Sequence, residues 1–87
     1  MEKKDCLLAV FEKCESSRPL KEILTQARIK ARKLIIITKC GNTGEYLRLV
    51  RQIASDNMDY PIRHYHQVEP PDAAALEGCT TYEVFNP

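Results

Sequence analysis

The sequence predicts one α/β domain, a small mixed sheet of three to four strands with helices packed on its faces. Three observations lead there. Leu34-Ile35-Ile36-Ile37 is a continuous, β-branched apolar run of the kind covered on both faces of a sheet. It is flanked by two stretches whose apolar residues recur at helical spacing. The 87 residues leave room for one hydrophobic core, so residues 1–87 are read as a single domain. The hydrophobic content of 44% and charged content of 29% belong to folded chains rather than disordered ones.

Taken in order, residues 4–15 place Leu7, Val10, Phe11 and Cys14 at three- and four-residue spacing, which predicts an amphipathic helix, with a strand over Cys6 to Phe11 as the alternative. Ser16-Ser17-Arg18-Pro19 supplies hydroxyl caps and a proline suited to a first helical turn. The helix that follows carries Leu20, Ile23, Leu24, Ala27 and Ala31 on one face. Lys33 to Thr38 forms the strongest strand. Asn42-Thr43-Gly44-Glu45 fits a capping box and opens a helix striped by Tyr46, Leu47, Val50, Ile53 and Ala54. Pro61 starts an extended segment, Ile62 to Gln67, near a sheet edge. Pro70-Pro71 breaks it, Asp72 caps a short helix over Ala73 to Leu76, and Gly78 stops that helix. Thr80 to Phe85 makes the last strand. Tyr46 and Tyr82 fall at core-facing positions.

This order resembles the L7Ae/L30e family of small RNA-binding domains. The likeness rests on Lys33-Leu34-Ile35-Ile36-Ile37 as central strand, Glu45-Tyr46 to Ala54 as the next helix, Pro61-Ile62 to Tyr65 as the next strand, the short helix ending Leu76-Glu77-Gly78, and the closing strand ending Phe85-Asn86-Pro87. It implies an RNA-binding α/β fold. The family's RNA-contact motif of glycine, asparagine, glutamate and lysine is not preserved: Lys21 alone matches, with Glu15, Ser17 and Arg18 at the other positions.

Charge is the main functional signal. The formal net charge of +1 hides an uneven chain: residues 1–17 carry −1, residues 18–51 carry +7 and residues 52–87 carry −5. Lys21, Arg28, Lys30, Arg32, Lys33, Lys39, Arg48 and Arg51 are therefore the candidate nucleic-acid-binding residues. RNA is favoured over duplex DNA, because no DNA-reading motif is present. An acidic protein partner is the alternative, in a small adaptor or inhibitor. A solvated surface neutralised by the acidic C-terminal part is the reading without function.

The chemistry-bearing residues do not assemble into an enzyme motif, and no catalytic residue, cofactor or metal is expected. Cys40 lies between a strand and a helix N-terminus, where a thiol pKa can fall, and a thiol activity there is the minority reading. His64 and His66 point the same way from a strand and supply at most two metal ligands, with Cys79 or Asp72 as further candidates. Surface histidines are the plainer expectation. Cys6, Cys14, Cys40 and Cys79 match no compact disulfide scaffold and are expected as free thiols. No apolar run approaches the roughly 20 residues that span a bilayer. The opening Met-Glu-Lys-Lys-Asp carries no apolar signal region, so a cytoplasmic protein is expected.

Overall fold

The computed structural model describes residues 2–13, 18–41 and 44–87. Its elements are β1 (Cys6–Phe11), α1 (Arg18–Lys30), β2 (Leu34–Thr38), α2 (Gly44–Asp56), β3 (Ile62–His66), α3 (Pro70–Leu76) and β4 (Tyr82–Phe85). The α/β class with helices on both faces is as expected. The four strands lie in the order β3-β2-β1-β4, and every adjacent pair is parallel. The sheet is parallel throughout, where the residue pattern predicts a mixed one. Each connection between strands contains a helix, and such a crossover returns the chain to the same end of the sheet, so no strand is reversed.

The first element corrects the preferred reading: Cys6–Phe11 is a strand, not a helix. All six of its residues are buried. The strand is covered on two faces: Leu7, Ala9 and Phe11 enter the core beneath α1 and α2, while Cys6, Leu8 and Val10 enter the core beneath α3. A strand covered on both sides loses its polar alternation, and the helical spacing of Leu7, Val10 and Phe11 is incidental to a continuous apolar run. Fully burying side chains such as Leu8, Ile35 and Ile36 contributes about 1.5–3 kcal/mol each, and these two cores hold the layers together.

The chain winds outward from β1 through β2 to β3 with α1 and α2 on one face, then returns by α3 on the other face to set β4 beside β1. The helix signals are partly visible. Ser16, Ser17, Asn42 and Thr43, read as caps, lie outside the described residues. For α3, the cap expected at Asp72 is displaced: the helix begins at Pro70, after Glu69, with both prolines in its first turn, where a missing N–H costs no helical bond. Gly78 ends it in the left-handed region at φ 71°, and the Gly78 and Cys79 amides donate to Ala75 O and Ala74 O.

The expected free thiols are also corrected. Cys6 and Cys79 form a disulfide across a sequence separation of 73 residues, because β4 enters the sheet beside the first residue of β1. Cys40 is likewise disulfide-bonded. Next to the Cys6–Cys79 bond, Asp5 Oδ2 accepts from Thr80 N and Oγ1 at 2.9 and 2.5 Å, and Asp5 N donates to Thr81 Oγ1 at 2.9 Å. On the α3 face, Glu77 accepts from the Tyr65 hydroxyl and from Lys33 Nζ at 3.1 Å, with Arg63 Nε 3.7 Å away.

Both carboxylates have lowered pKa values. The Thr80 hydroxyl, then the Thr80 and Thr81 amides, hold Asp5 down; the Tyr65 hydroxyl, then Lys33, hold Glu77 down. A folded-state pKa below the ordinary 3.8 or 4.5 stabilises the fold above those values and ceases to do so as pH falls through the lowered ones. Thermal melts followed downward from about pH 6 should therefore show stability declining below about pH 4.5, with a shallower decline in Asp5→Asn and Glu77→Gln.

Candidate functional site

Three of the eight basic residues are held in ion pairs within the fold. Arg28 is committed within the fold: its guanidinium donates to both carboxylate oxygens of Asp59 at 2.9 and 3.1 Å and to Asn57 Oδ1 at 2.9 Å, and it lies 5.2 Å from the centre of the Tyr60 ring. Lys33 pairs with Glu77, and Lys39 pairs with Glu69 at 2.7 Å. All three acidic partners come from the C-terminal part of the chain, so part of the charge asymmetry is consumed by tertiary pairing.

Lys21, Lys30, Arg32, Arg48 and Arg51 are exposed. They are dispersed. Lys30 lines a groove beside β4 at one edge of the sheet, whereas the charge of Arg51 acts on His64 in β3 at the other edge. Arg32 lies near Asp5 at the start of β1. Lys21 sits in the first turns of α1 and Arg48 in the second turn of α2.

The most distinctive surface is at β4. Among the described residues no further strand pairs with its outer side. Cys6 N donates to Thr81 O, and the register sets Cys6 against Tyr82 and Leu8 against Val84. In a parallel ladder this parity turns the N–H and C=O of Glu83 and Phe85 toward β1, and those of Tyr82 and Val84 toward the open side. The side chains of Tyr82, Val84 and Phe85 are 37%, 40% and 44% exposed. Tyr82, expected in the core, is thus at the surface, because α3 covers the middle of the sheet and stops short of this edge. Beside it, α1 and β4 enclose a groove of about 530 Å³ with Leu7, Ile23 and Phe85 in its wall and Gln26, Lys30 and Glu83 among its polar residues.

The opposite edge is different in character. β3 reads Ile62-Arg63-His64-Tyr65-His66, and a polar, charged edge of this kind resists further pairing. His64 and His66 share a face, as expected, and both meet Thr38 at the end of β2. Thr38 Oγ1 is 3.0 Å from His64 Nε2 and 2.8 Å from His66 Nδ1. A hydroxyl has one hydrogen, so it donates to one ring and accepts an N–H from the other. Burial, then the charges of His66 and Arg51, lowers the His64 pKa and favours its neutral form.

Thr38 was not singled out from the sequence. Its only signal is a polar residue at the end of a wholly apolar strand, where it is fully buried. Cys79 and Asp72, the further ligands considered for the histidines, do not join them: Cys79 is bonded to Cys6, and Asp72 is an exposed residue of α3 on the other side of the sheet. Among the described residues no set of three histidines, cysteines or carboxylates is placed to hold a metal. Cys40, being disulfide-bonded, presents no thiolate in this state.

No helix among the described residues is long and apolar enough to cross a membrane. Set beside known proteins, the chain matches no family, no curated sequence and no solved structure.

Proposed function

We propose that this domain is a non-catalytic protein-interaction module that receives an extended segment of a partner along β4. The observation that carries this reading is the β4 edge, which no strand covers among the described residues and where backbone groups at Tyr82 and Val84 left unpaired by them adjoin exposed apolar side chains. Strand addition uses such a row of donors and acceptors for affinity and takes specificity from side chains at alternate positions. The groove against α1 would receive the partner residue that lies beside Phe85, so an apolar side chain is preferred there. The disulfides favour an oxidising compartment over the reducing cytoplasm.

Val84→Pro isolates this mode. The Val84 N–H faces outward, so proline removes a donor needed by the partner while sparing the bonds to β1. With an identified partner, Tyr82 and Val84 amide exchange should slow on binding, and Val84→Pro should weaken the complex by about tenfold or more with an unchanged far-UV spectrum. Equal affinity of Val84→Pro and the parent chain removes the proposal.

The second reading is RNA binding, supported by the exposed Lys21, Lys30, Arg32, Arg48 and Arg51. It requires binding that falls steeply with salt and is weakened by neutralising these five residues rather than by Val84→Pro. Arg28, Lys33 and Lys39 belong to the fold's own ion pairs and are poor probes of RNA contact.

A further inference from the structure

We propose that the segment received by β4 is an antiparallel strand of another protein that sets a lysine or arginine against Glu83, apolar residues on either side of it against Tyr82 and Val84, and a carboxylate two residues further on toward Lys30. This rests on strand addition at β4 and names the chemistry of what is added. The register supplies the two faces. Tyr82 and Val84 align with Cys6 and Leu8, on the face of α3, while Glu83 and Phe85 align with Leu7 and Ala9, on the face of α1. The groove beside β4 therefore receives alternate residues of an added strand, those opposite Glu83 and Phe85, and the residues between them lie over the exposed Tyr82 and Val84.

The charges of the groove are ordered along it. β1 and β2 are parallel, so α1 runs back toward the start of β1, where the Lys30 carbonyl accepts the Lys4 amide at 3.0 Å. Cys6 is in register with Tyr82, so Lys30 borders the groove where β4 begins. Glu83 is half-buried further along β4, and Glu22, about two turns earlier in α1, adds negative charge toward the Phe85 end. Among the described residues neither the Glu83 carboxylate nor the Lys30 ammonium is held in an ion pair.

Opposite charges facing each other across strands stabilise a sheet, and like charges destabilise it. Glu83 turns its backbone groups toward β1, so in antiparallel addition it faces its new neighbour in a non-hydrogen-bonded pair, the kind that brings side chains closest. A basic residue there finds the carboxylate, and its apolar stem lies on Leu7 and Ile23 in the groove wall. The order of charges also fixes direction: a parallel strand meets Lys30 before Glu83 and needs the acidic residue first. A second copy of this chain fits poorly. Antiparallel self-pairing that uses Tyr82 and Val84 of both copies centres on Glu83 and sets two carboxylates opposite each other.

The test is a selection of displayed random peptides of about nine residues on the oxidised full chain, followed by titration of the enriched peptides as free synthetic ligands. The parent should enrich segments with lysine or arginine between two apolar residues and aspartate or glutamate two positions after the basic one. Exchanging that basic residue for glutamate should weaken a peptide by about fivefold or more. The double variant Glu83→Lys, Lys30→Glu, with an unchanged far-UV spectrum, should enrich the opposite order of charges, and Val84→Pro should enrich neither. Peptides that lose binding in Val84→Pro but carry no charge order, or keep the same order when both groove charges are exchanged, overturn the proposed chemistry and leave strand addition standing. So does a dimer of the chain that Val84→Pro dissociates. Peptides bound equally by Val84→Pro and the parent, or no enrichment on the parent, overturn both.

Discussion

Replacing both Cys6 and Cys79 by alanine is expected to lower stability by about 4 kcal/mol, the largest effect of any change considered for this fold. The bond joins the first residue of β1 to the segment entering β4 across 73 residues, so its loss releases a long loop in the unfolded chain. For a domain of this size the corresponding fall in Tm is about 20 °C. It is also a large share of the 5–15 kcal/mol that usually separates folded from unfolded states. Urea unfolding of the double variant against the parent measures it directly. A loss below about 1 kcal/mol would assign the β1–β4 junction to the Asp5–Thr80–Thr81 hydrogen bonds and the strand ladder instead.

Tyr60→Phe should cost about 2 kcal/mol, whereas the same substitution at Tyr46 should be neutral or stabilise by about 1 kcal/mol. Both rings are buried, and burial pushes both phenols up to about 12. Their hydroxyls differ. Tyr60 Oη lies 2.9 Å from Ala27 O and 2.8 Å from Ala31 O, sharing its hydrogen between carbonyls at the end of α1. Ala27 O also accepts the Ala31 amide, so Ala31 O is the group most dependent on the phenol. Phenylalanine leaves that carbonyl buried and unpaired. The Tyr46 hydroxyl is buried with no hydrogen-bond partner among the described residues, while its ring packs 5.7 Å from that of Phe11. Phenylalanine there keeps the ring contact and removes the unpaired group. The denaturation midpoint of Tyr60→Phe should fall and that of Tyr46→Phe should hold or rise, and a comparable loss in both would contradict this account.

Elements whose local pattern agrees with their environment were legible from residues alone. Leu34–Thr38 is a central strand because its β-branched run is apolar on both sides, and α1 and α2 follow their apolar stripes. β1 was harder for a physical reason. A buried six-residue run satisfies helix and strand templates together, and the choice is made by the partners, Leu34 to Thr38 on one side and Tyr82 to Phe85 on the other. The basic residues were legible as charges, but not as a surface, since pairing with Asp59, Glu77 and Glu69 depends on contacts far apart in sequence.

By itself, the sequence determined the α/β class, where the strongest strand and helices lie, and that positive charge is concentrated in residues 18–51. Only the tertiary structure decided the parallel strand order, the Cys6–Cys79 bond, the open edge at β4 and the meeting of His64 and His66 at Thr38. Local periodicity reports which face of an element avoids water. Which elements become neighbours is settled by crossover connections and by burying both faces of the sheet at once, and the candidate sites arise from those neighbours.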